Sequence, residues 1–453
     1  MVSNEKNYGG KALLPIIIFL LLYVGSGVLF TVQGLAKPFN IFPRYVAVLI
    51  GICIALFCFR RDLPITEKTS VFYQNAGSEG VMTLTLIVLL AGGFAGSCSA
   101  IGGKTSMVNL GATLIPSNLL IPGIFLMCSI VSTCIGTSMG TVSVMAPVAV
   151  ALAQGTGLNL GMAAAAVLTG STFGDNLSMI SDTTICATKG VGAAMKDKFR
   201  MNFAIALPAA LITLALYTVF SLSGQVPGNA VVGEYNIFTI IPYFAVLILA
   251  VIGFDVTTVL VIGMMLSCII GISCGTASFL TWAQGVSKGM EGMFWLPVFA
   301  MMISGMVGLI RFYGGIDWLV MKAKTAIHSR KSCEAVIGMF PTILSSIIAN
   351  NTLAIIISAP IAKELGNKYK IAPKRLASLL DIGACIGSMI VPHGTCMLMV
   401  EDAANCNYLE VLQYEYYPFL LFAATAIMIF VGLGRTKEEK EAMIQERTIY
   451  NEV

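Results

Sequence analysis

Charge is scarce in this chain. Asp, Glu, Lys and Arg make up 11% of its 453 residues, only two are His, and 57% are hydrophobic, whereas an ordinary soluble domain is about 25% charged. That balance leaves little room for a water-soluble fold. No basic tract is present, so nucleic acid is not an expected partner. The twelve Cys form no C-x-x-C pair and no Cys/His cluster. Most of them, such as Cys53, Cys128 and Cys268, lie in apolar runs and read as small hydrophobes rather than metal ligands or disulfide partners. Lys6 and Lys11 precede the first apolar run, Leu13 to Phe30, but no convincing small-residue cleavage site follows, so the run reads as an uncleaved first span.

What is present is a series of apolar segments, near 12–31, 42–59, 81–101, 113–135, 141–154, 158–173, 200–220, 236–253, 256–273, 294–311, 336–350, 351–364, 376–400 and 416–433. A spanning helix needs about 20 residues because hydrocarbon accepts only a backbone paired within its own segment. Several segments are shorter, and short segments interrupted by Gly or Ser mark discontinuous helices at matching positions of two halves. The halves are visible in the sequence. Gly93, Gly96, Gly102 and Gly103 recur at one constant displacement as Gly305, Gly308, Gly314 and Gly315. Ala146, Pro147, Ala149, Ala164, Gly170 and Gly174 recur as Ala359, Pro360, Ala362, Ala377, Gly383 and Gly387, and a single inserted residue reconciles the two sets.

Loop charge gives the repeat a direction. The loop 154–160 carries no charge, while its counterpart carries Lys368, Lys370, Lys374 and Arg375. Positive loops stay cytoplasmic, so the halves are expected to run oppositely through the membrane. Arg60, Arg61, Lys196, Lys198, Arg200 and Arg435 then fall on the cytoplasmic side with both termini, and the loop 224–235 falls outside. The expected fold is all-α: a polytopic transmembrane bundle with two inverted-topology repeats and discontinuous helices. Its parts are N-terminal helices over 1–80, a first repeat over 81–220, connecting helices over 221–292, a second repeat over 293–433 and a solvated cytoplasmic tail over 434–453.

The stretch Gly170 to Thr184 carries the most chemistry, with Asp175, Asn176, Ser178, Asp182 and Thr183 beside an apolar run. An acid at the bilayer centre costs on the order of 3 kcal/mol, so such groups are usually functional or paired. Read as a helix, the stretch puts Asp175, Ser178 and Asp182 on one face, with the acids about 10 Å apart. An unwound segment would add backbone carbonyls to the coordination. Carboxylates and hydroxyls are the hard oxygens that small cations prefer; the alternative for Asp182 is a helix cap. In the other half Asp381 lies between Leu380 and Ile382, where proton and cation can compete, with a salt bridge to Arg375 as the structural alternative. Asn350 and Asn351 occupy the repeat positions of Thr137 and Ser138, at both presumed helix breaks. His393 reads equally as a titrating group or as a hydrogen-bond donor in a Pro-His-Gly turn.

Phe173 to Thr184 resembles the NhaC-type Na+/H+ antiporter family, whose motif reads F-G-D-K-L-S-P-L-S-D-T-T. Gly136 to Thr141 resembles that family's G-T-S-x-G-T segment, and Leu380-Asp381 with Pro392-His393-Gly394-Thr395-Cys396 resembles its L-x-D and P-W-N-T-C elements. Met179 replaces a Pro of the pattern, and His393-Gly394 stands where it has Trp-Asn. The resemblance implies alternating access with sodium bound near these motifs; together with the residue readings above, the expected site has sodium at Asp175 and Asp182 and is completed by Asn176, Ser178, Thr183, Thr137, Ser138, Asn350, Asn351, Asp381, His393 and Thr395. No cofactor is expected beyond the transported Na+ and H+, and the expected partners are those ions and the lipid bilayer, with a homodimer left open. A second reading on the same fold is a sodium- or proton-coupled carrier of a small organic acid or amino acid. An intramembrane serine hydrolase, suggested by G-x-S-x-G at 136–140, ranks third because the one candidate base, His393, lies in the other half.

Overall fold

The computed structural model describes residues 7–35, 41–114, 117–179, 181–223, 234–252, 254–432 and 434–435. The loop expected outside, 224–235, and the tail after 435 lie almost wholly outside the described residues. Every regular element among those residues is a helix, and eight are long and apolar enough to cross a membrane. The chain is a multi-pass membrane protein.

The helices are α1 (Gly9–Val32), α2 (Arg44–Cys58), α3 (Ile65–Ala76), α4 (Glu79–Ala100), α5 (Gly103–Leu114), α6 (Ser117–Ile135) and α7 (Ser138–Thr156). Next come α8 (Leu160–Leu177), α9 (Asp182–Val191), α10 (Met195–Ser223), α11 (Ile237–Ile252), α12 (Val256–Ser273) and α13 (Phe279–Gly292). The second half holds α14 (Trp295–Phe312), α15 (Gly315–Thr325), α16 (Arg330–Ile348), α17 (Asn351–Lys368), α18 (Pro373–Ile390), α19 (Thr395–Ala404), α20 (Tyr408–Leu412) and α21 (Tyr416–Ile427). Hydropathy missed α3, α5, α9, α13, α15 and α20, which are short or polar on one face. It also ran 376–400 together, where Val391-Pro392-His393-Gly394 separates α18 from α19.

The repeat recurs in the elements themselves. Helices α6, α8 and α9 reappear as α16, α18 and α19, both ends of each shifted by the same amount along the chain. The breaks match as well. Gly136 and Ala349 both adopt positive φ, and Thr137 and Asn350 follow in extended conformation as N-caps of α7 and α17. The repeated glycines have a packing cause. A Cβ at Gly170 or Gly174 of α8 would strike the carbonyls of Phe125 and Ser129 on α6; at Gly383 and Gly387 of α18 it would strike those of Gly338 and Thr342 on α16. Only glycine lets these backbones approach so closely, and the contacted residues recur at the same displacement as the glycines. Contacts between the halves are reciprocal: α9 packs on α17 and α18, and α19 packs on α7 and α8.

Outside the repeat, α4 and α13 cross with Gly92 and Gly96 against Gly285 and Gly289, backbone to backbone. The Lys68 ammonium of α3 donates to the carbonyls of Leu56 (2.9 Å) and Phe59 (2.7 Å), satisfying the end of α2 where its own hydrogen bonds run out.

Candidate functional site

Helix α8 stops at Leu177, Ser178, Met179 and Ser181 are non-helical, and α9 begins at Asp182. The break has a local cause. Ser178 and Ser181 compete with helical hydrogen bonding, and the Thr184 hydroxyl donates to the Ser178 carbonyl across the gap at 2.8 Å. Asp175 sits in the last turn of α8, buried, and accepts from the Ser181 hydroxyl at 2.6 Å. Ser181 in turn shares a 2.8 Å hydrogen bond with Thr183. The Ser138 hydroxyl, at the start of α7, lies against the Asp175 carboxyl and the Cys396 thiol. The α6–α7 turn thus meets both helix breaks.

Asp381 is fully buried on α18. Its partner is not Arg375, which pairs instead with Glu334 at 2.8 Å. Asp381 Oδ2 accepts from the Lys198 ammonium at 2.6 Å and from the Asn202 amide at 2.8 Å. Lys198 also donates to the carbonyl of Asn176 (3.0 Å) and to the hydroxyl of Thr184 (2.6 Å). Asn202 donates to the same Asn176 carbonyl at 3.0 Å, and its own side-chain oxygen accepts from Ser378 at 2.6 Å. The Asn176 amide reaches the Tyr417 hydroxyl at 3.4 Å. Carbonyl, hydroxyl and carboxylate oxygens from the α8–α9 break and from α18 therefore converge on one ammonium. Asp175 lies close enough to Asp381 and Lys198 to feel both charges.

Lys198, counted above among the positive charges of the cytoplasmic side, is not a solvated charge. It lies near the start of α10 with its side chain 1% exposed. A lone buried ammonium would be prohibitive; a carboxylate and two further oxygens make burial tolerable. Asn202, Ser378 and Tyr417 also escaped the sequence reading. The one available signal was the i, i+4 spacing of Lys198 and Asn202, which puts both on one face of α10.

Asp182 does not share a face with Asp175, because the helix breaks between them; its side chain is exposed in the first turn of α9, where an acid complements the helix dipole. Thr183 is buried beside Ser181. Asn350 is exposed and caps α17 by accepting from the Leu353 N–H at 2.8 Å. Asn351 accepts from Ser345 and turns its amide to the Cys385 thiol of α18. Thr137 is half-buried and its carbonyl accepts from Thr141. Thr395 opens α19, half-buried, at the second break. His393 is buried edge-on to Phe19, ring centroids 5.5 Å apart, and no hydrogen bond joins it to Ser138 among the described residues. A substrate carboxylate would seek a buried Arg, yet Arg311 is exposed and Arg375 is committed to Glu334.

The NhaC antiporter of Bacillus subtilis is 26% identical to this chain over 436 residues, covering 87% of the chain and 92% of the relative. The NhaC antiporter of Alkalihalophilus pseudofirmus is 22% identical over 452 residues, covering 93% and 97%. The malate-2H+/Na+-lactate antiporter of Bacillus subtilis is 24% identical over 449 residues, covering 86% and 94%. A family model described as the Na+/H+ antiporter family matches residues 11–222 and 230–434, nearly the whole chain, and the chain belongs to that family.

Proposed function

We propose that this protein is a secondary active transporter that exchanges Na+ against H+ by alternating access at the Asp175–Asp381 centre. The observation that carries the reading is the Lys198 ammonium held at 2.6 Å from Asp381 and within hydrogen-bond reach of Asn176 and Thr184. These are the hard oxygens a small cation uses. A sodium ion arriving between Asp175 and Asp381 takes the oxygens that hold Lys198. The ammonium then releases one hydrogen ion to the open side, and the neutral amine retains its stem packing. Once the centre faces the other side, a hydrogen ion recharges Lys198, which reclaims Asp381 and expels the sodium. Cation and charged lysine thus exclude one another, and that exclusion couples the two fluxes.

Ser138 and Ser181 position Asp175, while Asn202 and Ser378 position Asp381. The two halves are inverted, both termini face the cytoplasm, and the membrane is the cytoplasmic one; the loop charges above support that arrangement. Asp182 is left outside the sodium site.

A second reading, exchange of a small carboxylate against sodium, draws on the lactate-exchanging relative and on His393-Gly394 standing where the family pattern has Trp-Asn. Weighing against it, the positive group at the Asp175–Asp381 centre is Lys198 rather than an arginine that could clamp a carboxylate with two parallel hydrogen bonds. Purified protein in liposomes with an internal pH dye tests both. An imposed sodium gradient is expected to move protons without any organic solute. Proton movement only when lactate, malate or an amino acid is present would give the second reading the place of the first.

A further inference from the structure

The C-terminal end of α19 opens into a cavity of about 120 Å³, lined by Arg44, Trp295, Glu401, Asp402, Asn405 and Glu410 among others. Helix α19 begins at the central break and runs about 1.5 Å per residue, so Glu401, six residues past Thr395, sits roughly 9 Å along it. One cation faces several acids here. Arg44 stacks over Trp295 at 4.3 Å, and the Trp295 indole N–H donates to Asp402 at 3.0 Å. Glu410 is engaged with the Asn407 backbone.

Glu401 in the cavity wall and Glu415 beside it are two buried carboxyls that the exchange centre does not use. Glu401 is 7% exposed and Glu415 1% exposed; among the described residues one oxygen of Glu401 and both oxygens of Glu415 meet no hydrogen-bond partner. The charged and titratable groups facing Glu401 are Arg44 from α2, Tyr23 from α1, Tyr408 from α20, and Asp402, Cys406 and Glu415. Those facing Glu415 are Glu401, Tyr408 and Tyr217 from α10. Arg44 cannot balance three acids while its face is turned to Trp295. A bare metal ion at Glu415 would lack the oxygen shell that hard cations need. A hydrogen ion needs one oxygen.

We propose that Glu401 and Glu415 form a second hydrogen-ion site, separate from the Asp175–Asp381 centre, loaded from the cavity at the end of α19 and connected to the centre through the first turn of α21. The link is positional and runs through Tyr417, two residues after Glu415: its hydroxyl accepts from the Asn176 side-chain amide, and the main-chain carbonyl of Asn176 holds Lys198. In one cycle a hydrogen ion from cavity water protonates Glu401 and moves to Glu415. One leaves Glu415 to water at the open centre and recharges Lys198 there, so the pair ends as it began. This inference rests on the exchange reading for its purpose and stands apart from it in its test.

The test uses full-length protein and infrared difference spectroscopy between acid and alkaline sodium-free buffer. The wild type is expected to show the carbonyl band of a protonated carboxyl, weakened in Glu415→Gln and in Glu401→Gln. In liposomes the same variants are expected to lose at least about tenfold in exchange rate at alkaline pH, with the sodium KM unchanged, since positioned proton transfer contributes to rate rather than to cation affinity. Glu415→Asp, which keeps the acid, is expected to restore part of the rate and guards against a variant that fails to fold. An unchanged band in both Gln variants overturns the proposal, as does a wild-type rate in both. So does a band that sodium chloride removes from an Asp175→Asn/Asp381→Asn protein, which would make the pair a sodium site. A wild type with the band but no sodium-driven proton flux removes the exchange reading and leaves the carboxyl pair.

Discussion

Replacing Asp381 by Asn removes the counter-charge and leaves the buried Lys198 ammonium among neutral groups, the Asn176 carbonyl, the Thr184 hydroxyl and the introduced amide. Removing one partner of a buried ion pair costs about 3–5 kcal/mol, because the remaining charge stays desolvated without compensation. Lys198→Met has the mirror effect, stranding the carboxylate with the Asn202 amide at 2.8 Å. In the double variant Met fills the space of the lysine stem, and the amide introduced in place of Asp381 stays within reach of Asn202. Its loss is expected to be smaller than either single loss, giving a coupling energy above about 2 kcal/mol. The buried thiols of Cys98, Cys128, Cys333 and Cys385 supply the assay: a thiol-reactive dye reports their exposure on heating in detergent. Transport follows a different rule. Asp381→Asn, Lys198→Met and the double variant are all expected to lose coupled exchange, so the double recovers stability without recovering flux. Single losses that sum in the double to within about 0.5 kcal/mol would refute the pairing. Lys198→Met protein that still moves protons against sodium at the wild-type rate would refute the competition mechanism.

Other outcomes follow from the same geometry. Asp175→Asn is expected to abolish sodium-driven proton flux while Asp182→Asn, an exposed side chain, keeps it; equal loss in both would return Asp182 to the site. Gly96→Ala pushes a methyl into the Gly285 carbonyl and is expected to cost about 1–3 kcal/mol of stability, read as a lower dye-reported melting temperature; an unchanged melting temperature would contradict the close α4–α13 crossing. Asp255 caps α12, and hydrogen bonds from the Thr258 hydroxyl and then its backbone N–H hold the Asp255 carboxyl below the usual carboxylate range. Because its folded pKa is lowered, the cap stabilises fully above the ordinary carboxylate value of about 3.9 and weakens as pH falls through the folded value. Asp255→Ala is therefore expected to cost about 1 kcal/mol at neutral pH, with melting curves converging in acid; a gap independent of pH would point to a different cause.

The membrane class, the helix ends before Ser138 and Asn351 and the recurring glycines were legible in the sequence because each depends on local properties. Hydropathy over some twenty residues decides what lipid accepts, and Gly, Ser and Asn mark where a helix yields. The recurrence of Gly170 and Gly174 as Gly383 and Gly387 was visible as letters, although only packing explains it: each meets a neighbouring carbonyl that repeats at the same displacement. Asp175 and Asp381 stood out because an acid in an apolar run is costly.

Their partners did not stand out. Lys198 lies among Lys196, Asp197 and Arg200, a charge run that locally reads as solvated, and nothing near it in the chain announces Asp381. Asp182 shows the converse: the end of one helix at Leu177 and the start of the next at Asp182 turned an apparent shared face into an exposed helix start. The pairing of Arg375 with Glu334 and the burial of Glu415 depend likewise on segments remote in sequence. Burial and charge pairing are set by which helices meet, and the tertiary structure alone decides that; helix formation and membrane insertion are set by neighbours along the chain, which the sequence already contains.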